Sequence, residues 1–354
     1  MIKPVCLHKG DILASVALSW GGAATFPNRY QAGKQQLEEE FSVHVVEMPH
    51  TLKDAEWLSQ HPQARADDLM QAFCDPSIKA IISTIGGDDS IRILPYLDLE
   101  IIRSHPKIFM GYSDTTTTHL ACFKAGLCSF YGPSIMAGFA ENGGLFPYMS
   151  ASVKRTLFSC DPIGKIQPNQ DGWTSEHLEW GIPENQQRKR TLQPCSGWKF
   201  LQGKGIHRGH LLGGCFEVLD WLRGTDFFPG LEQWRGAILF LETSEEAPSP
   251  SIIKRGLRAL AAMGILSVLT GIIVGRPGGN IPVADFKQYD ETLLEVVRDE
   301  QGLDELPIIT QMDFGHSDPM FILPYGAIAE IDSTQKNFSI LECCVTRPAP
   351  VPIN

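Results

Sequence analysis

Short apolar runs alternate with amphipathic segments through the first 130 residues of the chain. Strand patterns and helix patterns follow one another at 12–18 (strand), 30–40 (helix), 43–47 (strand), 64–73 (helix) and 80–85 (strand), with further strands around Met110 and Phe130. This alternation predicts an α/β fold whose N-terminal part is a doubly wound, mostly parallel sheet with helices on both faces. Ligands of such sheets bind at the carboxyl ends of the strands.

The pattern breaks between residues 161 and 205. Prolines, glycines and amide side chains interrupt any regular period there, and the segment carries Trp173, Trp180 and Trp198. Rings of this size indicate a segment that is packed or faces a ligand. The segment is therefore either anchored to its own domain or a substrate-binding loop. Strand and helix patterns then resume, with helices at 217–223 and 252–263 and strands near Leu211, at 237–241 and at 272–274.

These patterns predict two domains and a connection. Residues 1–160 form the N-terminal domain, 161–205 the tryptophan-bearing connection, and 206–354 a C-terminal α/β domain of the swivelling type. Clefts between two such domains are common ligand sites, so we expect the active site there.

A candidate nucleophile follows the apolar run that ends at Met110. Ser113 comes directly after Gly111-Tyr112, at the point where a helix could begin. In a nucleophile elbow such a turn exposes the serine hydroxyl and directs helix N-terminal N–H groups at the same point. The alternative is a plain strand followed by an Asp or Thr helix cap.

Two further strands end in titratable residues. The apolar run 237–241 leads to Glu242, and the run 306–309 leads towards His316. A serine needs a histidine to remove its proton, and that histidine needs a carboxylate to fix its tautomer, so Ser113, His316 and Glu242 could fill these roles. Taken singly, His316 could be a loop histidine bonded to backbone and Glu242 could cap a turn or pair with a lysine.

The glycine pair in Gly86-Gly87-Asp88-Asp89-Ser90 follows another predicted strand. Paired glycines permit close approach of backbone, which suits an oxyanion hole or a purely structural turn. A phosphate site is disfavoured, because the Lys-Ser or Lys-Thr of a P-loop is missing and two acidic side chains would repel phosphate.

Composition and charge disfavour some classes of binding partner. The 354 residues are 43% hydrophobic and 20% charged, as in ordinary globular proteins, and the formal charge of -11 opposes non-specific binding to nucleic acid or to an anionic membrane. Nine cysteines without paired C-x-x-C spacing suggest neither a disulfide framework nor a zinc site. With no signal-peptide core near Met1, we expect a cytoplasmic protein that needs no cofactor or metal and acts on a small molecule.

Six short motifs occur in the order seen in one serine peptidase family: Gly86-Gly87-Asp88-Asp89-Ser90, Gly111-Tyr112-Ser113-Asp114, Leu212-Gly213-Gly214, Leu222-Arg223-Gly224-Thr225, Leu239-Phe240-Leu241-Glu242 and Gly315-His316-Ser317-Asp318-Pro319. With them the chain resembles the murein LD-carboxypeptidases and microcin C self-immunity proteins from Gly10 to about Asp332. The resemblance implies a cytoplasmic, metal-free serine carboxypeptidase, expected as a homodimer, that cleaves a C-terminal amide-type bond. It implies a Ser113-Glu242-His316 triad and an oxyanion hole formed by the N–H groups of Gly87 and Asp114.

The two branches of that family differ in substrate, and the chain mixes their features. Trp180 resembles the ring that stacks on a nucleobase in microcin C immunity proteins, which implies an aminoacyl-nucleotide substrate and a role in antibiotic resistance. Glu246 and Cys215 stand where those proteins carry a lysine and an asparagine, and a glutamate at 246 resembles the murein enzymes, whose tetrapeptide presents an ammonium. The microcin-immunity-like branch with altered acyl specificity is the leading hypothesis, and murein recycling is the alternative.

A function of another class is also compatible with two α/β halves around a cleft. In a non-catalytic small-molecule binding protein, Ser113 would only donate a hydrogen bond. Three other histidines are not expected to be functional: His119 follows the serine on the predicted helix, and His207 and His210 lack neighbours that would complete a metal set.

Overall fold

The chain is described by a computed structural model that covers residues 1–348. Residues 349–354, which end the predicted C-terminal domain 206–354, lie outside the described residues.

Within the described residues the strands, in chain order, are β1 (Ile12–Val16), β2 (His44–Glu47), β3 (Ile78–Ser83), β4 (Ile108–Gly111), β5 (Phe130–Tyr131), β6 (Gly164–Ile166), β7 (Lys199–Gln202), β8 (Ile206–Cys215), β9 (Ala237–Glu242), β10 (Gly271–Gly275), β11 (Ile308–Met312), β12 (Leu323–Pro324), β13 (Ile328–Asp332) and β14 (Asn337–Ile340).

The α-helices of the same residues are α1 (Gly22–Thr25), α2 (Pro27–Phe41), α3 (Ala55–Gln60), α4 (Pro62–Cys74), α5 (Leu99–Ser104), α6 (Thr116–Ala125), α7 (Pro147–Leu157), α8 (Phe216–Leu222), α9 (Leu231–Trp234), α10 (Pro250–Ala262) and α11 (Phe286–Leu294). Short 3-10 helices lie at Ser90–Tyr96, Ser113–Thr115, Pro183–Gln187, Leu266–Val268 and Val283–Asp285, and a π-helix at Glu295–Glu300 continues α11.

The first sheet has the strand order β12-β5-β4-β3-β1-β2. Its strands β1 to β5 run parallel, as the alternation of strands and helices predicted, and β3 and β4 are buried almost throughout because helices cover both faces. The predicted α/β class and the mostly parallel N-terminal sheet are confirmed.

The second sheet has the order β6-β14-β13-β8-β9-β10-β11-β7. Its centre, β8 to β11, is parallel, and antiparallel strands extend both sides. Glu242 ends β9, which is buried along its whole length.

The second half of the chain contributes a strand to the first sheet. β12 comes from the second half of the sequence but pairs with β5 in the first sheet, with Leu323 opposite Tyr131. One apolar core continues from Leu120 on α6 and Phe130 on the first sheet to Leu211 and Phe240 on the second. The carboxyl ends of β4 and β9 therefore face a common cleft.

The segment 161–205 does not remain outside the sheets, because β6 and β7 form the two edges of the second sheet. It is also held by the buried carboxylate of Asp313. This carboxylate accepts hydrogen bonds from Trp198 Nε1 at 2.6 Å, from the backbone N–H of Asn169 at 3.0 Å and from the buried Arg276 side chain at 2.5 Å. Trp173 is buried, with the guanidinium of Arg276 5.4 Å from its ring centroid. Trp173 and Trp198 thus hold the segment to the second sheet, while the predicted domain boundaries stay a prediction.

Across residues 1–348, no helix combines the length and the apolar character that a membrane span requires.

Candidate active site

Ser113 lies in a strained turn at the carboxyl end of β4. Its φ of 63° is in the left-handed region, which residues with a Cβ seldom adopt, and the chain enters a 3-10 turn and then α6 directly afterwards. A Cβ added to Gly86 would lie 2.9 Å from the Ser113 Oγ, so a glycine is needed for this loop to approach the hydroxyl. The strand, turn and helix predicted around Ser113 are present.

The loop that carries the glycine pair is bound to the serine turn through buried polar groups. Ser90 donates its N–H at 2.9 Å to the carboxylate of Asp114, and its hydroxyl lies 2.7 Å from the same carboxylate. The buried Arg65 donates to Asp89 and to the carbonyl of Leu18. These bonds fix the position of the Gly86-Gly87 backbone beside Ser113.

Two backbone amides in this region have no hydrogen-bond acceptor. Among residues 1–348, neither the Gly87 N–H nor the Asp114 N–H donates a hydrogen bond. The Ser113 N–H is occupied, because it donates to the hydroxyl of Tyr131 at 3.0 Å. The first two amides are therefore available to an anion that forms beside Ser113.

Glu242, the last residue of β9, and His316, in the loop after β11, form a buried pair. His316 Nδ1 lies 2.6 Å from Glu242 Oε2, and the Glu242 side chain is 0% exposed. The approach depends on Gly315, whose φ is +90° and at which a Cβ would lie 2.6 Å from the Glu242 side chain. The other carboxylate oxygen of Glu242 accepts a hydrogen bond of 2.5 Å from Tyr131.

A second carboxylate reaches the other nitrogen of the same ring. Glu245 Oε2 forms an ion pair with His316 Nε2 at 3.1 Å. Burial lowers the pKa of His316, but the charges and contacts of Glu242 and Glu245 outweigh burial and raise this pKa to about 10. Among residues 1–348 no hydrogen bond joins His316 to the Ser113 hydroxyl.

Ser113 and His316 open onto one cavity of about 570 Å³. Gly86, Gly87 and Glu245 line it as well. Residues 175–180, including Trp180, also line it.

Trp180 is half-buried and has three close neighbours. The guanidinium of Arg29 lies 5.0 Å from its ring centroid, and the rings of Phe26 and His177 lie at 5.7 Å and 5.5 Å. Burial lowers the pKa of Arg29 to about 10, and its hydrogen bonds go to neutral groups, Met136, Asn142 and Gln186. Trp180 thus faces the cavity and is also packed against its surroundings.

The remaining sequence-predicted residues lie elsewhere. Cys215 is buried, with its thiol 3.4 Å from a Glu217 carboxylate oxygen, and is not on the cavity wall. Glu246 is exposed, and the wall position next to it belongs to Glu245. Substrate contact by Cys215 and Glu246 stays a prediction.

Three histidines make structural contacts. Burial lowers the pKa of His119 to about 3, and its ring lies within hydrogen-bond distance of Ser129 and the Gly111 carbonyl. His207 and His210 each contact a backbone carbonyl. Sequence reasoning missed Glu245 and Tyr131, because neither belongs to a motif that indicates contact with the histidine or the glutamate.

Comparison with known proteins identifies the family. The profile described as the LD-carboxypeptidase N-terminal domain of peptidase family S66 matches residues 13–132, and that of its C-terminal domain matches residues 208–331. A putative carboxypeptidase of Vibrio cholerae is 30% identical over 96% of this chain and 98% of its own length. The microcin C7 self-immunity protein MccF of Escherichia coli is 30% identical over 95% and 94%, and a probable murein peptide carboxypeptidase of Bacillus subtilis is 29% identical over 98% and 96%.

Solved structures agree with this relationship. An MccF-like protein from Streptococcus pneumoniae in complex with AMP has a TM-score of 0.84 and 32% identity, over 93% of this chain and 98% of that one. MccF in complex with glutamyl sulfamoyl guanosine has a TM-score of 0.85 and 26% identity, over 98% and 100%. The chain belongs to the LD-carboxypeptidase family, peptidase family S66, and is a serine-type carboxypeptidase.

Proposed function

We propose that Ser113, His316 and Glu242 are the catalytic triad of this carboxypeptidase. The observation that carries the proposal is that Ser113 lies in a strained turn on a cavity that is also lined by His316, the histidine paired with the buried Glu242. A strained, partly exposed serine on the same cavity as a histidine oriented by a carboxylate is an arrangement suited to acyl transfer.

In this mechanism Ser113 Oγ attacks the scissile carbonyl while His316 Nε2 takes the hydroxyl proton. The negative charge that develops on the carbonyl oxygen is stabilised by the N–H groups of Gly87 and Asp114. His316 Nε2 then gives its proton to the nitrogen of the leaving group. In the second step His316 Nε2 takes a proton from water, which hydrolyses the acyl-enzyme. Glu242 holds Nδ1 and stabilises the imidazolium during both steps.

Covalent labelling tests the nucleophile. A fluorophosphonate that reacts with activated serines is expected to modify Ser113 in the wild type and to leave Ser113→Ala and His316→Ala unmodified, with both variants folded and without turnover. Peptide mass spectrometry locates the adduct. Labelling at another serine, an absence of labelling, or near-normal hydrolysis by Ser113→Ala would contradict the triad.

We further propose an aminoacyl-nucleotide-like amide as the substrate, with Trp180 against the nucleobase. This is supported by Trp180 and the Arg29 guanidinium on the cavity wall and by relatives whose structures hold AMP or glutamyl sulfamoyl guanosine. A murein peptide is the second candidate, because a full-length relative is named a probable murein peptide carboxypeptidase and an acidic side chain, Glu245, lines the cavity.

Replacement of Trp180 distinguishes between the two proposed substrate classes. Trp180→Ala is expected to lose about 1–3 kcal/mol of binding to an aminoacyl-sulfamoyl-adenosine, about 5- to 150-fold in kcat/KM, and to leave a tetrapeptide substrate nearly unaffected. An equal loss on both substrates would mean that Trp180 only packs the segment through Phe26, His177 and Arg29. Trp57→Ala, outside the cavity, is the matched control.

The family resemblance also leads us to propose a cytoplasmic homodimer. Light scattering of the purified full chain measures the mass directly, and a mass of one chain, 39.1 kDa, would contradict the dimer.

A further inference from the structure

The imidazole of His316 is held between two carboxylates. Glu242 occupies Nδ1 at 2.6 Å, and Glu245 occupies Nε2 at 3.1 Å. Two carboxylates on one ring stabilise the doubly protonated imidazolium. Nε2 is also the nitrogen that must accept the Ser113 proton, so the ring as it stands cannot act as the base.

Glu245 differs from Glu242 in how firmly it is held. It lies in the turn after β9, and its side chain is 75% exposed, whereas that of Glu242 is 0% exposed. The turn itself is fixed by Ser244, whose N–H donates to Glu217 at 3.0 Å. An exposed carboxylate gains little from a single ion pair, so Glu245 can exchange His316 for another cation at small cost.

The surroundings of His316 carry an excess of negative charge. The ring of Tyr112 lies 4.9 Å from that of His316, and its pKa is raised by burial and by the charges of Asp318, Glu245 and Glu242. Arg190 opposes them, but it is already paired with Glu141 and Asp318. The ionisable groups that face His316 are therefore Glu242, Glu245, Tyr112, Asp318, Arg190 and, across the cavity, His177.

We propose that Glu245 is a specificity-determining residue that recognises an ammonium group on the acyl part of the substrate and, in doing so, releases His316. In the free enzyme Glu245 holds the Nε2 proton in place. When the substrate ammonium takes the carboxylate, the imidazolium keeps only Glu242 and releases its Nε2 proton to water. Nε2 then faces Ser113 as a base, so activation depends on a cationic acyl group. This inference rests on the proposed triad.

The test compares Glu245→Gln with wild type in the full-length enzyme. The first readout is the rate of fluorophosphonate labelling of Ser113 from about pH 6 to about pH 10, which spans the ordinary and the raised pKa of the histidine. The probe carries no ammonium, so wild type is expected to label slowly at neutral pH and faster as pH rises. Glu245→Gln is expected to label at least about 10-fold faster at neutral pH, with its pH profile moved down by about one unit or more.

The second readout is substrate selectivity. For an aminoacyl substrate and its N-acetyl analogue, the ratio of kcat/KM in wild type is expected to fall about 10- to 100-fold in Glu245→Gln, the effect of losing a charged hydrogen bond. Glu184→Gln, exposed and outside the cavity, is the control and should follow wild type in both readouts.

The outcomes distinguish this inference from the proposed triad. If wild type does not label at Ser113, the triad fails. If wild type labels but Glu245→Gln labels with the same rate and pH profile, or keeps the same selectivity, the role of Glu245 is overturned. A histidine NMR titration of the wild type provides an independent check, since the pKa of His316 should fall when an ammonium-bearing, non-hydrolysable analogue binds and should not fall with its N-acetyl form.

Discussion

At the scale of single residues, Tyr131 connects the groups on which catalysis is proposed to depend. Its hydroxyl accepts the Ser113 N–H at 3.0 Å and donates to Glu242 Oε1, while Glu242 Oε2 contacts His316. One buried hydroxyl therefore orients the serine turn and the carboxylate together. Because Tyr131 does not line the cavity, it would act as a positioning residue.

We expect Tyr131→Phe to lower kcat about 10- to 100-fold with little change in KM. The substitution leaves a buried carboxylate oxygen and an N–H without partners, a cost of about 1–3 kcal/mol, and it loosens groups that act only in the transition state. Steady-state kinetics measures the split between kcat and KM.

Tyr30→Phe is the matched control, since Tyr30 is also buried and its hydroxyl contacts Ser15 and Glu47 away from the cavity. Both variants should lose similar stability, and only Tyr131→Phe should lose kcat. Equal kcat in the two variants would remove the positioning role.

Candidate catalytic residues could be predicted from the sequence better than the residues that position them. Ser113, Glu242 and His316 could be selected because each follows an apolar strand and has a side chain suited to acyl transfer. Tyr131 ends the short apolar strand β5, where a buried tyrosine has the same sequence pattern as a core residue. The choice between Glu245 and Glu246 depends on the path of a turn with a positive φ at Ala247, which periodicity does not specify.

At the scale of elements, the segment 161–205 depends on one buried carboxylate. Asp313, immediately after β11, binds Trp198, Asn169 and Arg276, so it connects both parts of the segment to the second sheet. Some helices and strands of the second half were predicted from periodicity, for instance α10 from 252–263 and β10 from 272–274, whereas β6 and β7 within the segment were not. The attachment was not predictable, because it joins residues more than a hundred positions apart and has no period of its own.

We expect Asp313→Asn to lower the free energy of unfolding by about 3–5 kcal/mol, because it leaves the buried Arg276 without a counter-charge. The side-chain amide introduced at position 313 would also bring its own N–H groups close to the N–H donors of the Trp198 ring and the Asn169 backbone. Urea unfolding measures the loss, and limited proteolysis should cut the part of the segment between β6 and β7 before the central strands β8 to β11. Asp299→Asn, which breaks a surface pair with Arg298, should cost less than about 1 kcal/mol. An unchanged urea midpoint for Asp313→Asn would contradict this account of the segment.

At the scale of the whole molecule, the charge state of His316 contributes to folding. Its pKa is raised from 6.5 to about 10 in the folded protein, so folding favours the protonated ring. That contribution is fully present below about pH 6.5 and is lost as the pH rises through about 10, because the folded state then gives up the proton it had retained.

We therefore expect the difference in unfolding free energy between wild type and His316→Gln to shrink between pH 6.5 and about 10, by up to about 1.4 kcal/mol per pH unit. Urea unfolding of both proteins across this range measures the difference, and contributions common to both cancel. Parallel pH curves would mean that His316 is not held as an imidazolium in the folded free enzyme.

The pairing of β12 with β5 could not be predicted from the sequence, because a strand of two residues shows no periodicity. This pairing has a consequence for the order in which the protein folds during synthesis. During synthesis the chain emerges from its N-terminus, so the serine turn exists long before Leu323 and Pro324 can cover the edge of its sheet. Glu242 and His316 also follow Ser113 in the chain. In the proposed mechanism a nascent chain therefore carries Ser113 before its base, and hydrolysis must wait until His316 has been synthesised.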